Sequence, residues 1–131
     1  MSEIKVDALT GKTTANDITV TVGATATQSL EQGLAKHWIR FIGTGTVAIR
    51  DSLSASSLLD TGTGYYTVAI TNNLTDANYC LLIAEGDWRT VAPINEASIT
   101  TSDYDLHGRS PSTATALDSS VNSVAIHGGL A

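Results

Sequence analysis

Asp103, Asp105 and His107 alternate in the run Asp-Tyr-Asp-Leu-His. On an extended strand alternate residues share one face at about 7 Å spacing, so the three could offer ligands to a metal or to a lectin-like calcium site. A carboxylate-rich strand face is more often solvated surface, and the expectation is no metal. Two carboxylate pairs, Glu85 with Asp87 and Asp103 with Asp105, could pose as the acid and base of glycan cleavage. Such enzymes place the pair in a long groove, and this chain is too short for the parallel β-helix that often supplies one. Ser, His and Asp all occur, but without a Gly-x-Ser-x-Gly elbow or a metal-hydrolase spacing. No enzyme, no catalytic residue and no cofactor are therefore expected. Cys80 is the one cysteine, so no intrachain disulfide can form. Within the apolar run Tyr79–Ala84 it reads as a small buried hydrophobe rather than a nucleophile. His37, beside Trp38, reads as packed or interfacial, and His127 is similarly unpaired in sequence.

Sugar binding is the stronger chemical reading. Tyr65, Tyr66, Tyr79, Trp88 and Tyr104 carry amphipathic rings, and the polar loops 72–78 and 108–116 could line a shallow site. The exposed, partner-facing residues expected there are Asn72, Asn73, Asp76, Asn78 and Arg109. Tyr66 and Trp38 read as core.

The elements that must position these residues are short strands. Gly43-Thr44-Gly45 and Gly62-Thr63-Gly64 can supply the positive φ that tight hairpins need. Between and beyond them the pattern has a period of two. Tyr66, Val68 and Ile70 point one way and Tyr65, Thr67 and Thr71 the other, as in a sheet with one covered face. Asp17–Gly23 alternates as a first strand, and Ser120–Gly128 as a last one with Val124 and Ile126 facing in. Ala97–His107 reads as two short strands around Thr101-Ser102, with Ile99, Tyr104 and Leu106 inward. The 19 threonines and 13 serines, with few Lys, Glu or Leu, favour strands and turns over helices. The seven cations are scattered singly in a chain of net charge -6, so no nucleic-acid partner is expected. No run approaches the ~18 apolar residues of a membrane span. The Met-Ser-Glu-Ile-Lys start lacks the build of a signal peptide, so synthesis in a cytoplasm is expected.

Four stretches also carry a family resemblance. Ala35-Lys36-His37-Trp38, Gly43-Thr44-Gly45-Thr46-Val47-Ala48-Ile49-Arg50-Asp51-Ser52, Gly62-Thr63-Gly64-Tyr65-Tyr66-Thr67-Val68 and Asp76-Ala77-Asn78-Tyr79 resemble the repeating text of tail-fibre and fibre-like structural proteins of tailed bacteriophages. By direct motif the likeness covers roughly a third of the chain. Leu53, Ser54 and Tyr65 stand where that family usually has an aromatic, an Asn and an acidic residue, which changes surface and packing detail. The resemblance implies a non-enzymatic virion protein of tail-fibre type, made in the host cytoplasm and trimeric. It implies an N-terminal arm that attaches to other virion proteins, of the tail, an adaptor or the capsid, and a head presented outward to a host-surface glycan. The alternative is a capsid decoration, cement or head-fibre protein that stabilises the phage head.

Residues 1–17 hold only Ile4, Val6 and Leu9 as large apolar groups, too few for a core. They read as the virion-anchoring arm. Residues 18–37 read as a strand plus a short helix near 29–37. Leu30, Leu34 and Trp38 fall at i, i+4 and i+8, Ser29 could cap the helix and Gln32 could complete a capping box. So short a helix is marginal alone, so its face must pack on the sheet or on copies of itself as the trimer contact. Residues 38–131 read as the head. The expected fold is all-β: an antiparallel, jelly-roll-like β-sandwich with a short N-terminal arm and that helix.

Overall fold

Alternating side chains between tight turns build the sheets. In a computed structural model that describes residues 3–11, 18–87 and 89–131, the chain divides into two units, Met1–Leu34 and Ala35–Ala131. In the first, residues 3–11 carry neither helix nor strand. The hairpin β1 (Thr19–Val22) and β2 (Ala26–Ser29) follows, then α1 (Leu30–Gly33). Ser29 caps α1 as expected, its Oγ accepting from the Gln32 amide at 3.4 Å. The helix, expected to reach 37, ends after one turn with Leu34 extended. Trp38 lies on a strand, so Leu30, Leu34 and Trp38 do not line one helical face. Spacings of four and eight are even, and they fit a strand face as well as a helical one. The sheet pairing open to residues 37–42 outweighs a helix interrupted by Gly33.

The second unit holds β3 (His37–Ile42), β4 (Ala48–Leu53), β5 (Ala55–Gly62), β6 (Tyr65–Ile70), β7 (Cys80–Glu85), β8 (Thr90–Pro93), a 3-10 turn (Glu96–Ser98), β9 (Asp103–Arg109) and β10 (Asn122–His127). They form two antiparallel four-stranded sheets, in the orders β4-β3-β10-β7 and β5-β6-β9-β8. Ile39 and Phe41 of β3 and Val124 and Ile126 of β10 meet Tyr66, Val68 and Ile70 of β6 and Tyr104 and Leu106 of β9 in one buried core. The expected all-β sandwich is the fold observed. Eight strands in two layers match a jelly roll, but hairpins β3–β4, β5–β6 and β8–β9 each stay within one sheet. Ala97–His107 is one strand preceded by the 3-10 turn and a single bridge from Ile99 to Tyr104, rather than two strands.

The two Gly-Thr-Gly turns work differently. Gly45, Gly62 and Gly64 have positive φ, as the turns require. Gly43 does not; it is glycine because the Tyr66 hydroxyl and the Ser119 carbonyl occupy the space a Cβ would take. Tyr66 is fully buried, and its ring meets Phe41 edge to face at 5.1 Å. Its hydroxyl donates to Asp118 Oδ1 at 2.9 Å and to the Gly43 carbonyl at 3.2 Å, satisfying the one polar atom such a ring brings inside. The same Asp118 oxygen accepts from the Gly64 amide at 2.6 Å. One carboxylate thus ties a hairpin turn to the β9–β10 connection. Between β4 and β5 the chain changes sheet through a single residue, Ser54, at φ 63°.

Candidate functional site

Two outward surfaces of the sandwich carry side chains that the core does not use. The first is the outer face of β3, β10 and β7. Because Ile39 and Phe41 face in, Trp38 and Arg40 face out. Register then sets Leu53, Trp38, Ala125 and Leu82 in one row across four strands, with Asp51, Arg40, Ser123 and Ala84 in the next. Leu53 is 46 % and Leu82 53 % exposed. A shallow cavity of about 460 Å³ lies over Trp38, Arg40, Leu82, Ala84 and Ala125. Cys80 lies on β7 and is exposed, contrary to the buried position expected. The run Cys80–Glu85 is an edge strand in which Leu81 and Ile83 pack inward and Cys80, Leu82 and Ala84 do not.

The second surface is the outer face of β6, β9 and β8. The alternation of Asp103, Asp105, His107 and Arg109 places all four on it, opposite Ala69, Thr67 and Tyr65 on one side and Ala92 and Thr90 on the other. Tyr65 stacks on His107, with ring centroids 3.9 Å apart and 18° between planes. Arg109 Nε donates to His107 Nδ1 at 2.8 Å. His107 is 7 % exposed, and burial, with the Arg109 charge beside it, holds its pKa below the ordinary histidine value. A cavity of about 220 Å³ opens here, lined by Thr90, Ala92, Pro93, Ile94, His107 and Arg109.

The carboxylate pairs singled out in the sequence have structural work. Asp103 accepts from the hydroxyls of Thr100 and Ser102 at 2.8 and 3.2 Å, closing the turn before β9. Asp105 accepts from Thr67 Oγ1 at 2.5 Å across the β6–β9 pair. The Glu85 carboxylate accepts from the amides of Asp87 and Arg89 at 3.4 and 2.7 Å. Asp87 accepts from the Ser120 amide at 2.5 Å, and the hydrogen bonds from Ser120 pull its pKa below the usual carboxylate value. No group of three or more His, Cys, Asp or Glu side chains among the described residues could hold a metal. His37 is fully buried and shares a 2.8 Å hydrogen bond between its Nε2 and Tyr104 Oη. Burial lowers its pKa, against the backbone of Ser54 and Leu53, which raises it.

The partner-loop residues fall in two places. Asn72, Asn73, Asp76 and Asn78 are exposed on the β6–β7 connection, which Leu74 pins by burying its side chain and donating its amide to the Thr101 carbonyl. That carbonyl lies before the start of β9, whereas Arg109 ends β9, so the structure does not bring this loop and Arg109 together. Tyr65 is on the outer face as a sugar-binding ring would need; Tyr66 and Tyr104 are core, and Trp88 and residues 12–17 of the expected arm lie outside the described residues. In the arm, Ile4, Val6 and Leu9 are 85, 60 and 58 % exposed. Leu34 is 54 % exposed in the first unit, and Trp38 is half-buried on the first of the two surfaces. The sequence reading assigned no strand to Thr90–Pro93, and so it missed Thr90 and Ala92 as neighbours of His107. No family model matches the chain, and neither does any curated protein or solved structure.

Proposed function

We propose that this chain is a non-enzymatic bacteriophage virion protein of tail-fibre type, working as a homotrimer. In this reading the N-terminal arm, with Ile4, Val6 and Leu9, anchors it to the particle, and the sandwich is presented outward to touch the host surface. The observation that carries the reading is the apolar row Leu53–Trp38–Ala125–Leu82, which crosses four strands on the outside of a sheet whose inner face already has its core. A contiguous apolar row rimmed by Arg40 and Asp51 suits a protein surface better than open water. Repetition around a three-fold axis would bury it and would multiply weak contacts made by each head. The arm's exposed apolar side chains support an anchoring role in the same way.

Leu82 is half exposed, so Leu82→Asp should leave the sandwich folded and place a charge in the row. Sedimentation should show a trimer for the native chain and a monomer for this variant. Gold labelling of intact particles should place the protein on the tail. A label on the head would favour the decoration reading. A native chain that sediments as a monomer and labels no particle would overturn the proposal.

A further inference from the structure

Arg109 is held in place, and its charge is not used by the fold. Its Nε is committed to the ring of His107, which is itself fixed by stacking on Tyr65. This leaves the Nη nitrogens free to act as a fork. Among the described residues the ion pair is the exposed Lys5–Glu3 contact, and no carboxylate takes up the Arg109 guanidinium. The fork stands at the rim of the 220 Å³ cavity, whose other walls are the apolar Ala92, Pro93 and Ile94 and the hydroxyl-bearing Thr90.

We propose that this cavity binds one carboxylate-bearing sugar residue, a uronic or sialic acid, within an acidic surface glycan. The inference rests on the host-attachment reading given above and names its ligand class. A planar carboxylate matches a guanidinium fork with two parallel hydrogen bonds. The apolar wall fits the C–H face of a sugar ring, and Thr90 offers a hydroxyl to one of the ring hydroxyls. The volume is below the roughly 300–1,000 Å³ of sites for drug-sized ligands, which suits one ring. A phosphate or sulfate ester fits less well. A phosphate monoester approaches two negative charges and gathers several cations, and both esters are tetrahedral where the fork is planar, whereas this face offers one cation with Asp105 four residues before it on the same strand face. The depressed pKa of His107 keeps its ring neutral, so it can go on accepting from Arg109.

The test is an amide-detected NMR titration of the full chain with galacturonic acid, with galactose, galactose 6-phosphate and galactose 6-sulfate as comparisons. The expected result is millimolar binding of galacturonic acid, about tenfold tighter than galactose, with shifts centred on His107 and Arg109. Arg109→Gln, at an exposed position, should lose about tenfold, and Arg109→Lys should restore only part of it. His107→Gln should weaken binding while the remaining spectrum keeps its native dispersion, and Asn72→Ala should change nothing. Equal binding of galactose, stronger binding of the phosphate or sulfate, native-like binding by Arg109→Gln, or no binding well above millimolar would each overturn the proposal. Because the titration uses isolated chain, its failure would leave the particle location to be decided by gold labelling. A failed labelling experiment would likewise leave the titration to stand by itself.

Discussion

Replacing Gly43 with alanine would place a methyl group against the hydroxyl of the fully buried Tyr66. The new Cβ would run into the Tyr66 hydroxyl and lie 2.6 Å from Tyr66 Cζ and 3.0 Å from the Ser119 carbonyl oxygen. Tyr66 has nowhere to retreat, since it is fully buried and Phe41 meets it edge to face. Moving it breaks the bonds to Asp118 and to the Gly43 carbonyl. Overpacking costs about 1–3 kcal/mol and an unpaired buried polar group about 1–3 kcal/mol, so Gly43→Ala should cost about 2–6 kcal/mol in all. Gly45→Ala is the control. Its φ is +68° and nothing lies within 4 Å of the new Cβ, so only left-handed backbone strain of about 1–2 kcal/mol applies. Urea unfolding followed by tryptophan fluorescence measures both. Tyr66→Phe removes the hydroxyl that the new Cβ meets, so Gly43→Ala should cost less in that background, though the contact to Cζ keeps a residual cost. A Gly43→Ala midpoint within about 0.5 kcal/mol of native, or strict additivity with Tyr66→Phe, would refute this account of the turn.

Acid should loosen the fold through its buried histidines. The pKa of His37 is lowered from 6.5 by burial, so the neutral ring is favoured in the folded state. The associated stability is fully present above 6.5 and is lost as pH falls from there towards the lower folded value, at up to about 1.4 kcal/mol per pH unit. His107 acts with the same sign, so His37→Gln should flatten the slope without abolishing it; urea midpoints unchanged between about pH 7 and pH 5 would refute this. Asp87, lowered from 3.8, adds a second loss only below that value. Cys80, exposed on β7, should react with a thiol reagent in the native fold as fast as after denaturation, and the rate should fall with rising protein concentration if copies cover that face. Slow labelling of dilute native protein would contradict the exposed edge.

Much of the sandwich was legible because the period-two signal coincides with burial. Tyr66, Val68 and Ile70, and Val124 and Ile126, alternate in sequence and are buried in fact. The signal fails where a period is ambiguous or where the outer face is also apolar. Leu30, Leu34 and Trp38 satisfy both periods, and it is pairing with the hairpin partner β4 and with β10, distant in sequence, that puts Trp38 on a strand while Leu30 stays in α1. Cys80–Ala84 reads as core because all its residues are apolar, yet Cys80, Leu82 and Ala84 face out. The need for glycine at 43 is a tertiary fact, set by a tyrosine from another strand. At the proposed sugar site, Asp103, Asp105 and His107 were visible as a strand face, but the stack with Tyr65 and the bond from Arg109 depend on register across β6 and β9.

Ser54 has a mechanical consequence. With one residue between the last position of β4 and the first of β5, tension applied to one layer passes to the other with no slack to absorb it. The corner is also laced to the β6–β7 connection, its carbonyl accepting from the Thr71 amide at 2.8 Å and its hydroxyl from the Asn72 amide at 3.2 Å. A pull on the outer loops would therefore strain both layers together, and the sandwich should yield to force in one abrupt step instead of peeling sheet from sheet.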